Sequence, residues 1–221
     1  MMTVSKVCFI GDGTTFGCGD ETLLGWPGRL CSRVRRGRSE FACYNLGIRL
    51  ETSSDIAVRW QTEAGPRLGN GGALVFQFGL NDMAAVESRG IRVPMTESLA
   101  SAEAMIGEAS AWRPTLWISP LPVLPECHPM HSNKNSVFHY RNDRIAGLNE
   151  AYADLAEKLG VPYLDLYQRL AFEREWEEAL VRGDGVHPDG EGYALVARQI
   201  DQWLPWRQWF EAPVRKAAMA R

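Results

Sequence analysis

Four short segments of the chain hold residue types that move protons or stabilise negative charge. Asp184 and His187 stand three residues apart in Asp184-Gly185-Val186-His187-Pro188, so a carboxylate and an imidazole can meet on one turn without help from long-range folding. Gly79-Leu80-Asn81-Asp82 places a side-chain amide beside a carboxylate, while Gly11-Asp12-Gly13 and Asn45-Leu46-Gly47 bring uncluttered backbone next to a polar residue. An imidazole oriented by a carboxylate serves general acid–base chemistry, and N–H donors aimed at one point serve a developing oxyanion. Each segment alone has a plainer reading. Gly-Asp-Gly after a strand is a tight turn capped by Asp12, Gly-Leu-Asn-Asp is common loop composition, and a single His187 is a cap or a surface residue. The specific signal is their combination and order.

The elements between these segments must bring them together. Short apolar runs at Lys6–Ile10, Phe41–Asn45, Ala73–Phe78, Thr115–Ser119 and Val161–Leu166 read as buried strands of a parallel sheet. Helical patterns lie between them at Trp26–Arg35, Ser53–Glu63, Glu97–Ala111 and Ile145–Leu159, where Gly160 supplies the stop; a last helix over Gly190–Trp203 follows Pro188. Five alternations of strand and helix predict a doubly wound α/β fold, a five-stranded parallel sheet with helices on both faces. Ligands bind such sheets at the carboxyl ends of the strands, where the first three segments fall. The long irregular segment Pro120–Tyr140 is expected to line or cover the site.

Composition narrows the classes. With 221 residues, 45% hydrophobic and 23% charged, the chain reads as a single domain over 1–221, its core at about 6–204 with a Trp- and Arg-rich tail. The tail residues Trp203, Trp206, Trp209 and Phe210 are apolar enough to be an interface, which leaves a homo-oligomer open. A net charge of −3 gives no footprint for nucleic acid, and the cluster Arg33, Arg35, Arg36 and Arg38 reads as a solvated helix end. No apolar run is long enough to span a bilayer and no leader precedes the first strand, so the expectation is a cytoplasmic protein. Five cysteines without a CxxC pair suggest neither a disulfide framework nor a zinc site, and Cys8 and Cys43 read as core thiols. Cys127, His128, His131 and His139 match no common zinc spacing and read as loop or site-rim residues rather than a metal centre.

In order, the four segments resemble the conserved blocks of the SGNH hydrolases, the GDSL family of esterases and lipases. The first block of that family reads Gly-Asp-Ser and here reads Gly11-Asp12-Gly13-Thr14; Gly47 matches the second, Gly79 to Asp82 the third, and Asp184 to Pro188 the fifth. The resemblance covers about residues 6 to 204 and implies the flavodoxin-like architecture of the family, carboxylic-ester hydrolysis of a small-molecule substrate, and no cofactor or metal. It implies His187 as general base, Asp184 as the carboxylate that orients it, and the N–H groups of residue 13 and Gly47 with the Asn81 amide as the oxyanion hole; Asp12, Thr14 and Asp82 are supporting residues. The family's nucleophilic serine is replaced by Gly13, so weak or absent activity is expected. A serine replaced by design, a natural loss leaving a binder of acylated or carboxylate small molecules, and chemistry rerouted to water or to Thr14 or Thr15 are the three accounts of it.

Other chemistries fit less well. Asp12 and Asp82 as a glycosidase pair leave His187 and Asn81 unexplained, no Gly-x-Ser-x-Gly elbow exists, and Gly11, Gly13 and Gly17 miss the dinucleotide-binding spacing.

Overall fold

The computed structural model describes residues 4–35, 40–87, 89–125, 129–131 and 136–210. Its strands are β1 (Lys6–Gly11), β2 (Ala42–Gly47), β3 (Ala73–Gln77), β4 (Ala85–Val86), β5 (Gly90–Ile91), β6 (Thr115–Ile118), β7 (Met130–His131), β8 (Val137–His139) and β9 (Tyr163–Leu164). Its helices are α1 (Gly13–Phe16), α2 (Gly25–Arg35), α3 (Ser53–Leu68), α4 (Met95–Trp112), α5 (Asn142–Leu159), α6 (Leu166–Leu170), α7 (Arg174–Arg182), α8 (Gly190–Asp201) and α9 (Leu204–Gln208).

The main sheet has five strands in the order β2-β1-β3-β6-β9, every neighbouring pair parallel. Successive side chains of a strand point to opposite faces, and here both faces are apolar. Cys8 and Ile10 of β1, Leu74 and Phe76 of β3 and Trp117 of β6 face one layer with Trp60 and Tyr152; Val7, Phe9, Ala73, Val75, Leu116 and Ile118 face the other with Trp26 and Trp176. Helices α3, α4 and α5 supply the first layer, α2, α7 and α8 the second. The chain runs from β1 outward to β2 and then returns past β1 to β3, so the strand order reverses between β1 and β3. Sheets of this kind take their ligands at such a reversal, beyond the carboxyl ends of the strands.

The predicted strands and helices are present with shifted ends. The fifth strand shrinks to Tyr163–Leu164, and α3 continues to Leu68 beyond the expected Glu63. A capping box starts α3, in which the Thr52 hydroxyl accepts from the Asp55 N–H and the Asp55 carboxylate accepts from the Thr52 N–H. Gly160 ends α5 in the left-handed conformation at φ +66°, as its position predicts.

Three expectations need correction. A second sheet, β5-β4-β8-β7, forms from the segment after Asp82 and from part of the supposedly irregular 120–140 stretch. The tail is not a free apolar surface: Trp206 is 1% exposed, stacks near Phe9, Trp209 and Phe210, and closes the second layer, while Phe210 meets Phe41 edge-on. The Val4 N–H donates to the Trp209 carbonyl, tying this end to the start of the chain. Cys43 is exposed rather than a core thiol, because β2 is the outer strand of the sheet. No helix among the described residues is long and apolar enough to cross a membrane.

Candidate active site

The site is built first from the end of β1. Asp12 caps α1, its Oδ1 accepting from the Thr14 N–H at 3.0 Å and the Thr14 hydroxyl at 2.8 Å. Gly13 is the first residue of that single-turn helix, so its N–H has no intrahelical acceptor and points out of the helix end. Gly17, at φ +94°, stops the turn. Beneath it lies Gln77 at the end of β3, fully buried, whose Oε1 accepts from Trp26 Nε1 at 2.9 Å. The Thr14 and Thr15 hydroxyls lie 3.2 and 3.3 Å from the same oxygen and are themselves buried. Both hydroxyls are turned into the scaffold, which removes them as substitute nucleophiles.

The predicted acid–base pair, Asp184 and His187, comes from the loop before α8. Asp184 Oδ1 accepts from the Val186 and His187 N–H groups at 2.9 and 2.6 Å, which folds the loop around the carboxylate. Asp184 Oδ2 stands 2.9 Å from His187 Nδ1, so the pair meets as the three-residue spacing predicts. Burial alone would raise the Asp184 carboxyl, but its hydrogen bonds to His187 and the charge of that ring outweigh it and hold the group at about 2. His187 is 7% exposed, and its Nε2 has no hydrogen-bond partner among the described residues.

The two halves face each other across Gly13. A Cβ built on Gly13 lies 3.0 Å from His187 Nε2 and 3.1 Å from Cys18 Sγ. A side chain at residue 13 would therefore project to the imidazole nitrogen opposite the one bound by Asp184. The contact is tight, and the ring and the thiol must each give a few tenths of an ångström to admit it.

Asn81 lies 5% exposed at the end of β3, its Oδ1 accepting from the Tyr140 hydroxyl at 2.9 Å and its Nδ2 donating to the Glu51 carbonyl at 3.0 Å. This fixes the amide and leaves its second N–H. Tyr140, the end of the 120–140 segment, thereby reaches the site. Asp82 does not: its carboxylate accepts from the Ser53 N–H at 2.7 Å and from the Ser98 hydroxyl, and it anchors α3 from full burial. That burial raises its pKa.

The Gly47 N–H is engaged within its own segment. It donates to Asn45 Oδ1 at 2.9 Å, while Asn45 Nδ2 donates to the Thr15 carbonyl at 2.8 Å. A Cβ at residue 47 would lie 2.2 Å from the Phe16 nitrogen, so glycine there lets α1 sit directly on the end of β2. Nearby, Leu50 is held at φ +65°, a conformation costing about 1 kcal/mol for a residue with a side chain, with its carbonyl accepting from Arg92 Nη2 at 2.8 Å.

Cys18, Tyr140 and Gln77 were not marked by sequence. Of the loop residues expected at the rim, His131 is exposed on β7, His139 half-buried on β8, and Cys127 and His128 lie outside the described residues.

The hydrogen-bonded Asp184–His187 pair and the fixed Asn81 amide are the residues that the hydrolase resemblance singles out. The chain belongs to the GDSL-like lipase/acylhydrolase family, whose model matches residues 9–195. In fold it is similar to a lipase/acylhydrolase from Enterococcus faecalis, with a TM-score of 0.70 and 24% identity over 94% of this chain and 97% of that one. It is also similar to LAE5, an α/β hydrolase enzyme from the metagenome of Lake Arreo (TM-score 0.68, 16% identity, 96% and 99% covered). A third similar fold is the psychrotrophic esterase EstA from Pseudoalteromonas sp. (TM-score 0.64, 16% identity, 89% and 94% covered). No curated protein matches the chain in sequence.

Proposed function

We propose that this region binds carboxylic esters of small molecules as an acyl-transfer site lacking its usual nucleophile. His187 is the general base, Asp184 orients its ring and stabilises the imidazolium, and the residue 13 N–H with the free N–H of Asn81 receives the oxyanion. The observation that carries this reading is the placement of His187 Nε2 3.0 Å from the Cβ position of residue 13, with Nδ1 on Asp184. A serine at that position would hand its proton to the imidazole, and its oxygen would attack the acyl carbon to give an acyl-enzyme. Without it, ester turnover by the chain is weak, and the site is left to bind.

A second reading is a binding protein for acylated or carboxylate molecules, favoured by the buried, hydrogen-bonded His187 and Asn81 that stand beside a residue 13 with no side chain. Hydrolysis of a short-chain aryl ester by the chain and by Gly13→Ser, side by side, separates the two. The esterase reading expects the serine form to gain at least roughly 10⁴-fold, the smaller of the losses that follow removal of a single triad member. No gain in a folded Gly13→Ser protein leaves the binding reading.

A further inference from the structure

The ester reading leaves unexplained the atom on the other side of Gly13. Cys18 Sγ stands 3.1 Å from the same Cβ position that His187 Nε2 approaches to 3.0 Å, so thiol and imidazole flank one point beside a residue without a side chain. Both side chains are inside: Cys18 is 5% exposed and His187 7%. The Cys18 N–H donates to the Gly13 carbonyl at 3.0 Å, and its own carbonyl accepts from the Tyr193 hydroxyl at 2.7 Å, so the thiol's backbone is fixed from α1 and from α8. The next residue, Gly19 at φ +84°, packs so closely on the His187–Pro188 backbone that a Cβ there would lie 2.9 Å from the Pro188 carbonyl oxygen. The turn carrying the thiol and the loop carrying the base thus touch. His187 Nε2, unpartnered among the described residues, is the group in this site able to take a proton from either side.

We propose that Cys18 is the nucleophile that remains in this chain, acting with His187 and Asp184 on the same acyl substrates as a displaced Cys-His-Asp triad. This rests on the ester reading above. In the first step His187 Nε2 takes the S–H proton as sulfur bonds to the acyl carbon. The C–O bond then breaks and the imidazolium returns that proton to the departing alcohol, leaving a Cys18 thioester. Water then attacks the thioester, giving its proton to His187 and from there to the sulfur, and the carboxylic acid leaves. Burial pushes the Cys18 thiol up to about 11, with Asp12 and Asp184 adding to the rise and Arg49 opposing it, so the resting group is the thiol and its proton must leave during attack. The consequence is a slow enzyme that depends on its base, rather than one with a standing thiolate.

Of the other described cysteines, Cys8 and Cys31 are buried in the core and Cys43 is exposed at the sheet edge, so the test must resolve positions. The chain as it stands is exposed to p-nitrophenyl acetate, quenched in acid and mapped by peptide mass, alongside its His187→Ala and Cys18→Ala forms. The expected result is one acetyl group on the peptide carrying Cys18, absent in His187→Ala, with release of nitrophenolate falling about tenfold or more in Cys18→Ala. No acetyl group at Cys18 in the unaltered chain overturns the proposal without recourse to any variant, as does acetylation that persists undiminished in a folded His187→Ala protein. Gly13→Ser measured in parallel separates the failures. If that form is active while Cys18 stays unacylated, the ester frame stands without the thiol; if both fail, the ester reading falls with it.

Discussion

The two halves of the site are built by opposite means. The Asp184–His187 half is almost self-contained: three hydrogen bonds from Val186 and His187 to one carboxylate fold four residues around it. The Gly13 half is assembled from the ends of three strands, with Gln77 of β3, Asn45 of β2 and the cap at Asp12 each holding α1 in place. A locally built pair does not depend on what stands at residue 13. A turn held by so many distant groups equally does not collapse when one side chain is absent. A glycine at residue 13 is therefore compatible with both halves staying in place, and the proposed base and its carboxylate keep their geometry beside a residue with no side chain.

The comparison is sharpened most by removing the base. In a Gly13→Ser background, His187→Ala is expected to cost on the order of 10⁶-fold in kcat and Asp184→Ala about 10⁴-fold, since the first removes the proton acceptor and the second only its orientation. Steady-state aryl ester hydrolysis checks both, and full activity surviving either change removes the pair from the mechanism. Truncating Asn81 to Ala in the same background is expected to lower kcat roughly 10²–10³-fold with little change in KM, as for loss of one oxyanion donor. An unchanged kcat would place the donor elsewhere.

The smallest effect tests the other half through pH. Burial, opposed by the Thr14 hydrogen bonds, raises Asp12 to about 6, and its Oδ2 is buried without a partner among the described residues. A carboxyl whose folded pKa lies above its unfolded value favours folding while protonated and loses that contribution as pH rises, here between about 4 and about 6. Asp12→Asn keeps an oxygen for Thr14 and carries no charge. It is expected to be more stable than the parent at pH 8 by about 1–3 kcal/mol and to lose that advantage by pH 4, measured by urea unfolding. Asp184 has the opposite sign: held at about 2, it contributes above about 4 and is lost as pH falls further.

What sequence disclosed follows the same division. The Asp184–His187 pair was legible because it needs only a three-residue spacing, and the five strands because both faces of a parallel sheet are apolar. The packing role of Gly47 was not legible, since nothing in its segment reveals that α1 sits directly on its Cα. Cys18 and Tyr140 were invisible for a related reason. Their placement arises where the turn after α1 meets the His187 loop and where the end of the 120–140 segment meets Asn81, contacts that depend on strand order rather than on neighbouring residues. The short second sheet was missed because two- and three-residue strands leave no periodicity to detect.

The most direct test of a frame complete but for its nucleophile is covalent capture of the Gly13→Ser protein by an alkyl p-nitrophenyl phosphonate, read by intact and peptide mass. Phosphonylation of serine requires the hydroxyl, the His187 base and the oxyanion donors to act on one atom. The account predicts one phosphonyl group per chain, at residue 13, absent when His187 is replaced by Ala. A folded Gly13→Ser protein that takes up no phosphonyl group at residue 13 would contradict it.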